Sequence, residues 1–246
     1  MLTKNQIKYV KSLEQKKHRQ RQQAFVAEGP KVVEDLLKCG YQPLLLVATD
    51  QWYYNTMVVV DCDTVTVTAE ELQKVSFLQH PQQVLGVFAL PQPKPYAAPS
   101  KGLYLALDGV QDPGNLGTII RLADWFGIST IYCSPDTADA WNPKVVQATM
   151  GSLARVNIIY TDIPQLIGDS PLPVYGTLLD GENIYRQQLP TDAIIVMGNE
   201  GNGISPTVRA FISNKLLIPA FHEGPESLNV AIATAIVCSE FRRGLQ

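Results

Sequence analysis

The chain has 246 residues, of which 46% are hydrophobic and 17% charged, and a formal net charge of -3. That length allows one large domain or a small domain joined to a medium one, each with its own core. A net negative charge excludes nucleic-acid binding through an overall basic surface and leaves it to a local patch.

The first residues, MLTKNQIKYVKSL, have no signal-peptide core, and no apolar run approaches the roughly 20 residues that cross a bilayer, so neither secretion nor a membrane partner is expected. A helical pattern opens the chain. Strand-like runs follow at Leu44 to Ala48 and Met57 to Val60, then a helix candidate at Ala69 to Leu78 and a strand at Val84 to Ala89. The order is mixed α/β. At Pro91 to Lys101 four prolines in nine positions deny the backbone helix and ladder hydrogen bonds, which marks a linker. The expected division is therefore 1–90, a linker over 91–101, and a second domain over 102–246.

Beyond the linker, strands are expected at Leu103 to Leu107, Thr130 to Cys133, Val156 to Tyr160, Val174 to Leu179, Ile194 to Met197 and Leu216 to Ile218. Several are apolar without alternation, as strands buried on both faces of a parallel sheet are. Helices are expected at Leu116 to Phe126, Pro143 to Met150, Pro206 to Ile212 and about Leu228 to Arg243. The last has almost no polar face until Ser239, so it should be buried all round, as in a central helix or a subunit interface. A homodimer follows as an expectation.

Cys39, Cys62, Cys133 and Cys238 are scattered, with no CxxC pair and no nearby histidine, so a reduced cytoplasmic protein without a metal site is expected. Chemistry concentrates instead in three segments of the second half: NLGTIIR (Asn115 to Arg121), GNEGNG (Gly198 to Gly203) and SLNV (Ser227 to Val230). Each stands at the edge of an apolar stretch, where sites are built. Asn115 is placed to cap the helix after Pro113 and Gly114. Arg121, the only charge between Leu116 and Ala123, is suited either to snorkelling or to gripping a phosphate. Glu200 can cap a turn or orient a neighbour, and the glycines around it let backbone approach a ligand. Ser227 is read as the N-cap of the last helix. Asn229 then becomes an amide inside an apolar first turn that needs a partner. His222 is read as a bystander.

Taken together the three segments resemble the SpoU family of the SPOUT class of RNA methyltransferases: NxGxxxR at Asn115, Gly117 and Arg121, GxEGxG at Gly198, Glu200, Gly201 and Gly203, and SLNV at Ser227 to Val230. The resemblance covers roughly Gly102 to Arg243. The segment from Lys16 to Leu37 is similar to the substrate-binding domain that often precedes this catalytic domain. The resemblance implies a parallel-sheet SPOUT domain with a deep trefoil knot, behind a small mixed α/β RNA-binding domain. It implies S-adenosylmethionine as cofactor, held near Thr177, Gly198, Gly203, Ile218 and Leu228, and an obligate homodimer. It implies methyl transfer to a ribose 2′-hydroxyl, with Asn115, Arg121, Glu200, Ser227 and Asn229 as the catalytic set. Arg121 would be either the base or the phosphate anchor. One departure is that Ala220 stands where the family commonly has methionine, with one extra residue between Pro219 and Ser227.

The first 31 residues carry Lys4, Lys8, Lys11, Lys16, Lys17, Arg19, Arg21 and Lys31 against Glu14 and Glu28, which makes them the locally basic surface. RNA contact is expected at Lys16, Lys17, Arg19 and Arg21. Large-subunit (23S) ribosomal RNA is the expected substrate, transfer RNA the alternative, and a non-catalytic RNA-binding or assembly protein of the same fold a further one. A nucleotide-dependent oxidoreductase is disfavoured, because no GxGxxG follows an early strand.

Overall fold

A computed structural model describes residues 2–56, 61–92, 98–221 and 227–245. The strand expected at Met57 to Val60, the middle of the proline-rich linker and His222 lie outside those residues. The described residues form two compact units, the first of Met1–Gln92 with Asp139–Arg155 and the second of Pro93–Ala138 with Val156–Gln246.

The first unit runs α1 (Lys4–Ser12), α2 (Lys16–Gln22), β1 (Ala24–Glu28), α3 (Pro30–Lys38), β2 (Pro43–Ala48), α4 (Asp50–Asn55), β3 (Asp63–Thr66), α5 (Ala69–Val75) and β4 (Val84–Ala89). Its sheet has the order β1-β4-β2-β3, with β4 antiparallel to both neighbours and β3 parallel to β2. Period-two alternation along β1 and β4 sends Ala24, Val26, Leu85 and Val87 to one face, where Val10, Leu13, Leu72 and Val75 of α1, the residue after it, and α5 cover them. Phe25 points the other way and meets Phe88 at 5.8 Å and Trp141 at 4.7 Å between ring centroids.

Trp141 belongs to a stretch that the sequence places in the second domain. Asp139–Arg155, which includes α7 (Pro143–Ala148), packs instead with the first unit. Aromatic burial of this kind dominates core energetics, and three polar links add to it. The Tyr41 hydroxyl donates to the Leu153 carbonyl, Arg155 pairs with Asp35, and the Arg19 guanidinium holds Asp139. All join positions over a hundred residues apart, so no local pattern announces them.

The second unit contains β5 (Leu103–Leu107), α6 (Pro113–Trp125), β6 (Thr130–Cys133), β7 (Asn157–Tyr160), α8 (Ile163–Asp169), β8 (Val174–Asn183), β9 (Ala193–Met197), α9 (Pro206–Arg209), β10 (Asn214–Leu217) and α10 (Val230–Arg242). Its sheet is parallel throughout in the order β10-β8-β9-β5-β6-β7. All five residues of β9 are buried, as the unbroken apolar run Ala193 to Met197 requires of a central strand. Ile163, Leu166, Ile204 and Val208 cover one face together with Tyr132, Ile194 and Val196.

The last helix departs from expectation. Val230, Ala231, Thr234, Val237, Cys238 and Phe241 are buried, but Ile232 is 53% exposed and Leu228, just ahead of the helix, 50%. α10 packs against α6, and its Phe241 meets Tyr175 of β8 edge-on at 5.1 Å, but Leu228 and Ile232 remain exposed among the described residues.

Candidate active site

In a parallel sheet the strand ends carrying free carbonyls gather at one edge, and ligands bind outside it. Here β10, β8 and β9 are adjacent, and Ile218, Thr177 and Gly198 stand at or just past the ends where each leaves the ladder. β8 pairs with β9 only as far as Gly176, and its pairing with β10 jumps from Gly176 to Glu182. The backbone from Thr177 to Gly181 is thereby released from the ladder, beside the end of β9: the Thr177 hydroxyl lies 3.8 Å from Met197 Sδ. The chain thus offers backbone groups outside the ladder at this edge, and the one charge on the released stretch, Asp180, is paired with Arg209 and Lys215, which fits a nucleoside cofactor recognised through its base and ribose.

The loop after β9 closes on itself. Asn199 and Gly203 exchange both backbone hydrogen bonds at 2.9 Å, and Gly203 takes the left-handed conformation with φ +69°. Gly198 is required by contact rather than by φ, since a Cβ there would stand 2.3 Å from the Gly203 carbonyl carbon. Asn199, which the sequence reading left unassigned, pins the loop. Its Oδ1 accepts from the amides of Gly201 and Asn202, and its Nδ2 donates to the Gly109 carbonyl at 2.7 Å. An asparagine directly after a glycine at a strand end is a turn signal, and that was the available clue. Asp108, at the end of β5, accepts from the Ser205 amide at 2.7 Å and fixes the far side of the loop.

So held, Glu200 faces the start of α6. Its carboxylate accepts from the amides of Gln111 and Asp112, each at 3.2 Å, and from Asn115 Nδ2 at 3.0 Å. Burial raises the carboxyl pKa, but the bonds from Asn115 and from the Asp112 and Gln111 amides outweigh it and hold the group below its ordinary value. A carboxylate so occupied is a positioning group rather than a proton acceptor.

Asn115 does not cap α6, as the sequence suggested. Asp112 does, accepting from the Asn115 amide at 2.8 Å with Pro113 at the first helical position. The Asn115 side chain is freed to bridge, and its Oδ1 accepts from Asn229 Nδ2 at 2.9 Å. Asn229 is itself the N-cap of α10, its Oδ1 accepting from the amides of Ala231 and Ile232 at 2.9 and 3.3 Å. This corrects the assignment of that role to Ser227, which lies exposed two residues earlier. It also accounts for the amide that had no evident reason to be there.

The three segments are therefore joined by one chain of bonds, Glu200 to Asn115 to Asn229. Every orientation in it is determined, since a carboxylate can only accept and backbone amides only donate. Arg121, further along α6, is exposed and makes no ion pair or hydrogen bond among the described residues. Its guanidinium is available to an external anion. Cys133 and Cys238 are buried, and burial pushes the Cys238 thiol up to about 12 and the Cys133 thiol higher still, which removes both as nucleophiles. The described residues contain no group of three or more histidine, cysteine, aspartate or glutamate side chains that could hold a metal ion, and no helix among them is long and apolar enough to cross a membrane.

In the first unit Lys16, Lys17 and Arg21 are exposed on α2, but Arg19 is not. It is 2% exposed, donates to the carbonyls of Leu13 and Glu14, and pairs with Asp139. The expected RNA contact at Arg19 is thus replaced by a packing role, because a fully satisfied buried guanidinium has nothing left to offer a phosphate.

Residues 102–239 match the SpoU rRNA Methylase family, and residues 4–86 the MRM3-like substrate binding domain. The chain is 30% identical to the 23S rRNA (guanosine(2553)-2′-O)-methyltransferase RlmP of Bacillus subtilis over 97% of each chain. A structure from Porphyromonas gingivalis assigned to the TrmH family of RNA methyltransferases is 45% identical, with a TM-score of 0.90 over 99% of each chain. The S-adenosylmethionine-bound rRNA methyltransferase from Sinorhizobium meliloti is 32% identical, with a TM-score of 0.88 over 100% of this chain and 97% of that one.

Proposed function

The chain belongs to the SpoU rRNA methylase family, whose trefoil-knotted parallel-sheet domain it shares, and we propose that it methylates a ribose 2′-hydroxyl of 23S ribosomal RNA with S-adenosylmethionine as donor. The observation that carries the reading is the bond chain Glu200–Asn115–Asn229, which ties the cofactor loop to the helix bearing Arg121.

When bound, S-adenosylmethionine would supply an electrophilic sulfonium methyl, so the chain's own residues have chiefly to align the ribose oxygen, whose proton is released to solvent water as the methyl is transferred. Thr177, Gly198, Gly203, Ile218 and Leu228 hold the cofactor, largely through backbone. Asn115, Glu200 and Asn229 set the position of α6, with Ser227 beside them. Arg121 grips the target phosphate and stabilises the developing alkoxide; a guanidinium protonated far above neutral pH serves this better than proton abstraction. Lys16, Lys17 and Arg21 meet RNA backbone elsewhere on the substrate.

The protein works as a cytoplasmic homodimer. The uncovered apolar surface at Leu228 and Ile232, together with Trp125 of α6 at 84% exposure, supports this, as does the presence of four free cysteines. Sedimentation showing monomer at micromolar concentration would remove it.

The decisive test incubates the protein with labelled S-adenosylmethionine and separated ribosomal and transfer RNA, then maps the modified ribose. Label in 23S RNA is expected. Label in transfer RNA alone would replace the substrate, and cofactor binding without label in any RNA would leave an assembly protein.

A further inference from the structure

The first unit contains a cavity of about 310 Å³ lined by Gly29, Leu78, Gln79, His80, Gln82, Gln147 and Met150. It lies where β1 ends and β4 begins, linked by the Gly29 amide donating to the Val84 carbonyl at 2.9 Å, and beside the end of α7. None of the residues so far given a role in methyl transfer or RNA contact lines it.

Backbone strain gathers there. Three non-glycine residues among those described have positive φ, and two are at this cavity: Met150 at +52° in its wall and Gln83 at +53° next to Gln82. Gly29 adds a third left-handed residue at +87°. Left-handed backbone is unfavourable for a side-chain-bearing residue and persists where the surroundings impose it, often at ligand sites. At Met150 the imposition is visible. Thr149 before it is fully buried, and Gly151 after it is pressed so close to Asp35 that a Cβ would stand 2.3 Å from the carboxylate. The consequence is a methionine held 40% exposed on the cavity wall.

The lining has no permanently charged side chain. The side chains of Gln79, His80, Gln82 and Gln147 make no hydrogen bond among the described residues, and no lysine, arginine or carboxylate lines the space. An anionic group would find no counter-charge, whereas amides present donor and acceptor together, as the edge of a base requires. Leu78 and Met150 supply apolar surface for a flat ring, and methionine adapts its shape to one. Splayed single-stranded bases are the usual means of sequence-specific RNA recognition.

We propose that this cavity binds one unpaired nucleobase of the RNA substrate, with Gln82 and Gln147 reading its edge and Met150 covering its face. The inference rests on the RNA reading above and adds a base-specific contact to it.

The test measures binding of the full-length protein to labelled A6, C6, U6 and (AG)3 ribonucleotides by fluorescence anisotropy, for wild type, the double variant Gln82→Ala/Gln147→Ala, and Met150→Ala. Wild type should favour one sequence about tenfold. The double variant should lose that preference, Met150→Ala should weaken binding to the favoured RNA, and S-adenosylmethionine affinity should stay unchanged in both. Base-independent binding by wild type, or a preference unchanged in both variants, would overturn the nucleobase site while leaving the methyltransferase reading intact. Failure of wild type to bind or methylate any RNA would overturn that reading and the site with it.

Discussion

Asn115 donates its side-chain nitrogen to Glu200 Oε1 at 3.0 Å across 85 residues of sequence, and this bond fixes which way the Asn115 amide faces. Its oxygen is thereby turned to Asn229. A positional asparagine of this kind differs from a capping one in what its loss does.

Asn115→Ala should remove a donor from Glu200 and an acceptor from Asn229 at once. A stability loss of about 2 kcal/mol is expected in denaturant unfolding. Misplacement of the α6 start relative to the cofactor loop should lower kcat/KM about 100-fold. Asn115→Asp should do worse at neutral pH, because a second carboxylate would face Glu200. An Asp variant as active as wild type would show that the amide donor is dispensable.

Glu200 sets a pH dependence whose sign follows from its lowered pKa. Folding favours the ionised carboxylate, so its stabilising contribution is complete above the ordinary carboxyl range and is lost as pH falls through that range towards the lower folded value. The unfolding midpoint of wild type should therefore drop more steeply between about pH 5 and pH 3 than that of Glu200→Gln. Parallel curves would mean that the three donors do not select the charged form.

Arg19 and Arg21 lie on the same short helix and should behave as opposites. Arg19→Ala leaves Asp139 without its partner and should cost about 3 kcal/mol, read as a lower unfolding midpoint. Arg21→Ala should leave the midpoint unchanged while weakening RNA binding and reducing its salt dependence by about one phosphate contact. Equal effects on stability would erase the distinction between a packed and a presented guanidinium.

Two glycines of the cofactor loop give a steric contrast. Gly198→Ala places a methyl 2.3 Å from the Gly203 backbone and should raise the S-adenosylmethionine Kd at least tenfold, measured by calorimetry. Gly201→Ala meets nothing closer than Asn199 Oδ1 at 3.6 Å and should bind as wild type does.

The sequence made the second sheet legible because buried parallel strands leave unbroken apolar runs. β5 and β6 fall where expected, and β9 begins one residue early; β4 of the first sheet also falls where expected. It was less informative where two equivalent signals compete. Asp112 and Asn115 can each cap α6, as Ser227 and Asn229 can α10, and the choice depends on Glu200 and Asn115, partners far off in the chain. β1 was missed, since AFVAE is short and follows a charged helix, and so were α3, α4, β3 and α8, although Asp162 ahead of Pro164 marks the start of α8 as Asp112 ahead of Pro113 marks that of α6. Charge counting found the basic segment but could not separate Arg19 from its neighbours, because burial there depends on an aspartate 120 residues away.

The chain passes between its two compact units three times, after Gln92, after Ala138 and after Arg155. During synthesis the first unit cannot be finished when its 92 leading residues have emerged; it waits for Trp141 to cover Phe25 and for Asp139 to neutralise Arg19, by which point two strands of the second sheet have already been made. The two units are thus not interchangeable cassettes. A cut or graft at the proline-rich linker would divide the polypeptide at its most evident seam and still leave the first unit incomplete.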